Sequence, residues 1–136
     1  MTNCVFCKII AGEIPSSRVY EDEYTLAFMD IGQVNPGHVL VALKSNIENV
    51  CGLDDALAGA MFRATARVAR AVHAAFTPQG MSIYQANGAA AGQTVFHLHF
   101  HVMPRWNADG MDLIWPVKNP PREQLEACAV KIRAAF

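Results

Sequence analysis

Two periodicities organise the chain. Within the apolar-rich stretch 95–103 polar and apolar positions alternate from His97 to Val102, with His97, His99 and His101 separated by Leu98 and Phe100 and followed by Val102. A period of two predicts a strand whose three imidazoles share one face at steps of about 6.6 Å, with the apolar side chains on the other. Over residues 53–76 the spacing changes to three and four: Leu57, Met61, Ala64, Val68, Val72 and Phe76 form one stripe, and Arg63, Arg67 and Arg70 lie off it. That predicts a long helix with Asp54 near its start and Thr77-Pro78-Gln79-Gly80 as its stop.

Shorter patterns fill in the remainder. Residues 6–11 read as a helical or turn segment closed by Gly12 and Pro15, and strands are expected at 18–20 and 25–29 around a Glu21-Asp22-Glu23 turn. Asn35-Pro36-Gly37 signals another turn, and the continuously apolar stretch after it, residues 38–43, predicts a strand covered on both faces. A strand at 81–86 joins the histidine strand through the small-residue loop 87–92. Leu125, Cys128, Ile132 and Phe136 then share one face of a last helix that Pro121 opens. The order of elements predicts an α+β fold: a five-stranded, mostly antiparallel sheet, one long crossover helix and a C-terminal helix.

Composition narrows the functional classes. At 136 residues with 52% hydrophobic content the chain suits a single domain over 1–136 that buries a core without staples. No apolar run approaches the roughly 18 residues of a membrane span. A net charge of −1 without a basic run argues against capture of nucleic acid. The first residues lack a leader pattern, and four cysteines at 4, 7, 51 and 128 form no disulfide framework, so a reducing cytoplasm is expected.

On residue type alone, the alternating histidines suit a metal site, a catalytic face or simply a half-exposed strand, and Cys4-x-x-Cys7 has zinc-knuckle spacing. His73, alone on the long helix, reads as a surface or packing residue. A wider set of segments narrows the choice: Cys4-Val5-Phe6-Cys7-Lys8-Ile9-Ile10, Leu26-Ala27-Phe28-Met29-Asp30-Ile31, Pro36-Gly37-His38, Gly92-Gln93-Thr94-Val95 and the histidine strand occur in that order. Together they closely resemble the histidine triad family over residues 4–105, and most of all its branch of nucleoside phosphoramidases and nucleotide hydrolases. Residues 106–136, where the resemblance thins, read as a C-terminal extension.

The resemblance implies a homodimer whose two sheets join, with a purine nucleotide site on each subunit. It implies that His99 attacks the α-phosphate of a conjugate of AMP or GMP to give a nucleotidyl-histidine that water hydrolyses. Imidazole suits this role because its neutral form is already nucleophilic near pH 7. His97 and His101 would orient it or bind phosphate oxygens, with His38 behind His101. Thr94 would bond the bridging atom or a phosphate oxygen with Gln93 nearby, and Val95 belongs to the same substrate-binding segment. Asn87 would contact phosphate or ribose, Asp30 the ribose hydroxyls, and Phe6, Ile9, Phe28 and Ile31 would enclose the base. The expected activity is adenosine phosphoramidase, with dinucleoside polyphosphate hydrolase as an alternative and a zinc- or nucleotide-binding sensor as one from another class.

In bacterial relatives a zinc site adds a histidine after the third strand to the two cysteines and the first triad histidine. Here that position holds Asn46, a poor ligand beside thiolate and imidazole. Zinc is therefore expected, if anywhere, at a structural site of Cys4, Cys7 and His97, with Cys51 as a substitute ligand, and the chemistry requires no cofactor.

Overall fold

The computed structural model describes residues 3–112 and 114–136. Its elements run α1 (Val5–Ile10), β1 (Arg18–Glu21), β2 (Thr25–Met29), β3 (Val39–Leu43), α2 (Asp55–Phe76), β4 (Gly80–Tyr84), β5 (His99–Arg105) and α3 (Arg122–Arg133), with 3-10 turns at Val50–Gly52 and Ala89–Ala91. The five strands lie in the order β1-β2-β3-β5-β4, and every neighbouring pair is antiparallel. α2 makes the crossover between β3 and β4.

Alternation sorts the strands onto two faces. Ala27, Val39, Val41, Leu43, Leu98 and Val102 pack with Met61, Ala64, Val68 and Val72 of α2 in one core layer. Leu26, Phe28, Leu40 and Ala42 face the other way, against Phe6 and Ile9 of α1. β3 is buried on both sides because both layers use it, which accounts for its continuous apolar run.

Local chemistry sets the helix ends. Asp54 caps α2 by accepting from Leu57 N–H at 2.8 Å, and Thr77 closes it in the left-handed region. The six residues of α1 are too few to hold a helix alone. Cys4 Sγ caps it by accepting from Cys7 N–H, Arg18 donates to Ile9 O at 2.8 Å, and Phe6 and Ile9 dock it on the sheet. At Gly37 (φ +99°) a Cβ would lie 2.8 Å from the Phe76 ring, so the turn before β3 can close over the end of α2 only with glycine there.

The last two strands differ most from the sequence expectation. β4 ends at Tyr84, two residues before the expected end. β5 begins at His99 instead of residue 95, because His97 Nε2 donates to Leu43 O at 2.6 Å and so fills an acceptor on the neighbouring strand. The backbone of Leu98 accepts from Leu43 N–H and donates to Ile47 O, which keeps the bent segment attached to the sheet. α3 forms as expected, but the stripe of Leu125, Cys128, Ile132 and Phe136 is exposed, and no residue of that helix is buried. No described helix is long and apolar enough to cross a membrane.

Candidate active site

The layer under α1 opens into a cleft of about 960 Å³ lined by Phe6, Ile9, Phe28, Asp30, Ile31, Thr94, Val95, His99 and His101, all site candidates from sequence. Register explains the convergence. His99 lies opposite Ala42 and His101 opposite Leu40 and Tyr84, so both imidazoles project from the face that carries Leu26 and Phe28. Phe6 reaches down from α1 and sets its ring edge-on to Phe28 at 5.4 Å and to His99 at 4.9 Å. Ile31 stands fully exposed at the rim, whereas Phe6, Ile9 and Phe28 are buried. An apolar floor with an uncovered aliphatic rim suits a flat base.

Hydrogen bonds assign a tautomer to each histidine. Val34 N–H donates to His38 Nδ1 at 3.3 Å, so the His38 proton sits on Nε2 and points at His101 Nδ1, 2.9 Å away. His101 consequently bears its proton on Nε2. His99 has the opposite arrangement: its Nδ1–H donates to His97 O at 2.6 Å, which leaves the lone pair on Nε2. The two adjacent imidazoles, with centroids 5.1 Å apart, thus present a nucleophilic nitrogen and a hydrogen-bond donor side by side.

Electrostatics keeps these rings neutral. Burial pulls the pKa of His38, His97 and His99 below the ordinary imidazole value. His101 falls to about 4, first through burial and then through repulsion by His99 and His38, with Asp30 opposing. Asp30 Oδ2 lies 3.4 Å from His38 Nε2 and 3.9 Å from His101 Nδ1, and Oδ1 accepts from Gly32 N–H at 2.8 Å.

His97 belongs to a different group. Its Nδ1 lies 3.3 Å from Cys4 Sγ and 3.5 Å from Cys7 Sγ. Zinc bonds of ~2.3 Å to sulfur and ~2.05 Å to nitrogen would put tetrahedral ligands about 3.6 Å apart, close to these spacings. The Nε2–H bond to Leu43 O fixes the tautomer that turns a lone pair toward the sulfurs, as a metal-bound imidazole requires. The donor set therefore fits zinc with three ligands. Asn46 is exposed, and Cys51, exposed on its 3-10 turn, is outside the group.

Two expected binding residues have internal roles. Gln93 is buried, accepting from Gly88 N–H at 2.7 Å and donating to Glu48 O at 2.8 Å. Asn87 pairs its amide with that of Gln85 and accepts from Val50 N–H. Both shape the loop that delivers Thr94, which is exposed at the cleft.

Other participants were missed from sequence. Gln33 donates to Asp30 O and His38 O and accepts from Gly37 and His38 N–H, tying Asp30 to His38 across the turn. No sequence signal marks it, because a turn glutamine bonding to backbone has no characteristic spacing. Tyr84 packs its ring against His101 at 5.5 Å and donates to Ala91 O. Its place beside His101 comes from the observed β4–β5 register, which the strand bounds expected from sequence do not give.

A family model described as HIT domain matches residues 11–108. A HIT family protein of Bacillus subtilis superposes with a TM-score of 0.95 at 45% identity, covering 99% of this chain and 98% of that one. The adenosine 5'-monophosphoramidase hnt1 of Schizosaccharomyces pombe is 32% identical over 131 residues, 96% of each chain. A zinc-bound histidine triad family protein of Mycobacterium smegmatis shares 34% identity with a TM-score of 0.74 and 98% coverage of both chains.

Proposed function

The chain belongs to the HIT domain family, and from that premise we propose that it hydrolyses phosphoramidate conjugates of purine nucleoside monophosphates, AMP foremost, through a nucleotidyl-histidine on His99. The observation that carries the reading is the pair of opposed tautomers. His99 Nε2 holds a lone pair at the cleft because Nδ1–H is bonded to His97 O, while His101 Nε2–H is available to a phosphoryl oxygen or the departing group. Attack at phosphorus with an adjacent donor divides one displacement into two easier ones. The resemblance to the fission-yeast adenosine 5'-monophosphoramidase supports an amine as the leaving group.

The base lies on Phe6, Ile9 and Phe28 under Ile31, the ribose near Asp30, and the phosphate between Thr94 and the two imidazoles. Zinc held by Cys4, Cys7 and His97 would be a structural clamp between α1 and the bend before β5, separate from the reacting nitrogen. A homodimer fits the same reading, since β4 is a sheet edge with Ile83 exposed and α3 leaves its apolar side chains uncovered.

The test is His99→Ala assayed against an AMP amidate. Hydrolysis falls at least ~10³-fold while AMP affinity by calorimetry stays within a few-fold. Turnover near the wild-type rate refutes the covalent route.

A further inference from the structure

The His38–His101 pair holds one shared proton in its neutral form. Val34 N–H occupies the His38 Nδ1 lone pair, so the proton between the rings belongs to His38 Nε2. In that state His101 Nε2–H can bond to an anion, yet complete transfer would leave an imidazolate, far too basic to form near neutral pH. An amine departing from phosphorus needs a whole proton. The pair can release one only after taking up a second, and His101 Nδ1–H then faces His38 Nε2–H. Two facing donors repel unless an acceptor serves both.

Asp30 Oδ2 is placed as that acceptor, 3.4 Å from His38 Nε2 and 3.9 Å from His101 Nδ1. Its aim is fixed: Oδ1 is held by Gly32 N–H, and Gln33 bonds the backbone of both Asp30 and His38. Four groups face the pair: Asp30 after β2, Val34 N–H in the turn, His99 on β5 and Tyr84 on β4. Of these only Asp30 is anionic.

We propose that Asp30 is a positioning residue that lets the His38–His101 pair hold the proton delivered to the leaving amine, a role beyond contact with ribose. It rests on the phosphoramidase reading of the same cleft. In the first step the His99 Nε2–phosphorus bond forms, the phosphorus–nitrogen bond breaks with its electron pair going to the amine, and His101 Nε2 gives that nitrogen its proton. Both facing N–H groups then remain on Asp30 Oδ2, and His101 Nε2 has a lone pair. In the second step water attacks phosphorus, the His99 bond breaks, and the water proton returns to His101 Nε2. The proton inventory closes over the cycle. Burial and neighbouring imidazoles outweigh Asp30 alone, and the phosphoryl charge of a substrate adds to it.

The test compares wild type with Asp30→Asn on two substrates that share the same adenosine: an alkyl amidate of AMP, whose amine needs a proton, and the p-nitrophenyl ester of AMP, whose leaving group does not. Ribose contacts cancel between them. The expected result is a loss in kcat/KM at least tenfold larger for the amidate, and equal losses overturn the proposal. A second arm needs no turnover: imidazole NMR titration of the protein alone places the protonation midpoint of the pair about one pH unit or more lower in Asp30→Asn. An unmoved midpoint also overturns it. Wild type that cleaves neither nucleotide refutes the phosphoramidase reading, and the titration still decides whether Asp30 holds the proton.

Discussion

Along β5 and the bend before it, Leu98 and Val102 enter the layer under α2 with no exposed surface, whereas His99 and His101 face the cleft and keep part of theirs. The same strands build both faces, and the same removal of water acts on each with opposite consequences. Under α2 burial stabilises, because the layer is apolar apart from Thr65, whose hydroxyl donates to Met61 O. Under α1 burial strips hydration from imidazoles, so they are held neutral and their remaining hydrogen bonds go to backbone groups or, between His38 and His101, to each other. One face supplies stability and the other sets protonation and direction.

The sharpest division between the faces comes from one substitution on each. Met61→Ala, in the α2 layer with no exposed surface, removes ~2–5 kcal/mol of unfolding free energy while folded protein keeps its hydrolytic rate. His99→Ala reverses the pattern, losing at least ~10³-fold in rate with a small change in denaturant midpoint. If Met61→Ala lowers kcat as severely as stability, the faces are not separable.

Acid separates them next. All four imidazoles bind protons more weakly folded than unfolded, so between the ordinary value of 6.5 and the value of about 4 at His101 the unfolded chain takes up more protons. Their contribution is present above pH 6.5 and is lost as pH falls toward 4, with His101 the largest single part. Denaturant unfolding across that window measures the slope, and Met61→Ala should shift the curve down without changing its shape.

Smaller effects belong to the periphery. If zinc joins Cys4, Cys7 and His97, Cys4→Ser or chelation lowers Tm by a few degrees, with hydrolysis largely retained at 20 °C and the metal lost by elemental analysis. The smallest is deletion of residues 121–136, which changes the unfolding free energy of a monomer by no more than about 0.5 kcal/mol, because α3 has no buried residue. A larger loss, accompanied by a change in sedimentation, would show that its apolar stripe packs against a second copy.

Much of this was legible in advance. The period of two around the histidines and the 3.6-residue stripe of α2 predicted both layers, since each pattern reports which side of an element avoids water. Asp30 and Thr94, marked through the resemblance, line the cleft, and His38 is buried behind it, 3.4 Å from Asp30. The start of β5 was not legible, because the bond from His97 to Leu43 O joins residues 54 positions apart. Gln93 and Asn87 carried a binding expectation that their neighbours alone could not test, and both bond within their own loop and to the distant segment 48–50.

Alternation in the chain decides that imidazoles share a face, because a pleated backbone turns every second side chain the same way. It does not decide which nitrogen of each ring holds the proton. That depends on the partner each nitrogen meets: a carbonyl two residues back for His99, a strand carbonyl for His97, a turn amide for His38, and for His101 a ring 63 positions away. Only packing brings those partners within hydrogen-bond reach, and with them it separates a nucleophile, a donor and a candidate metal ligand among chemically identical side chains.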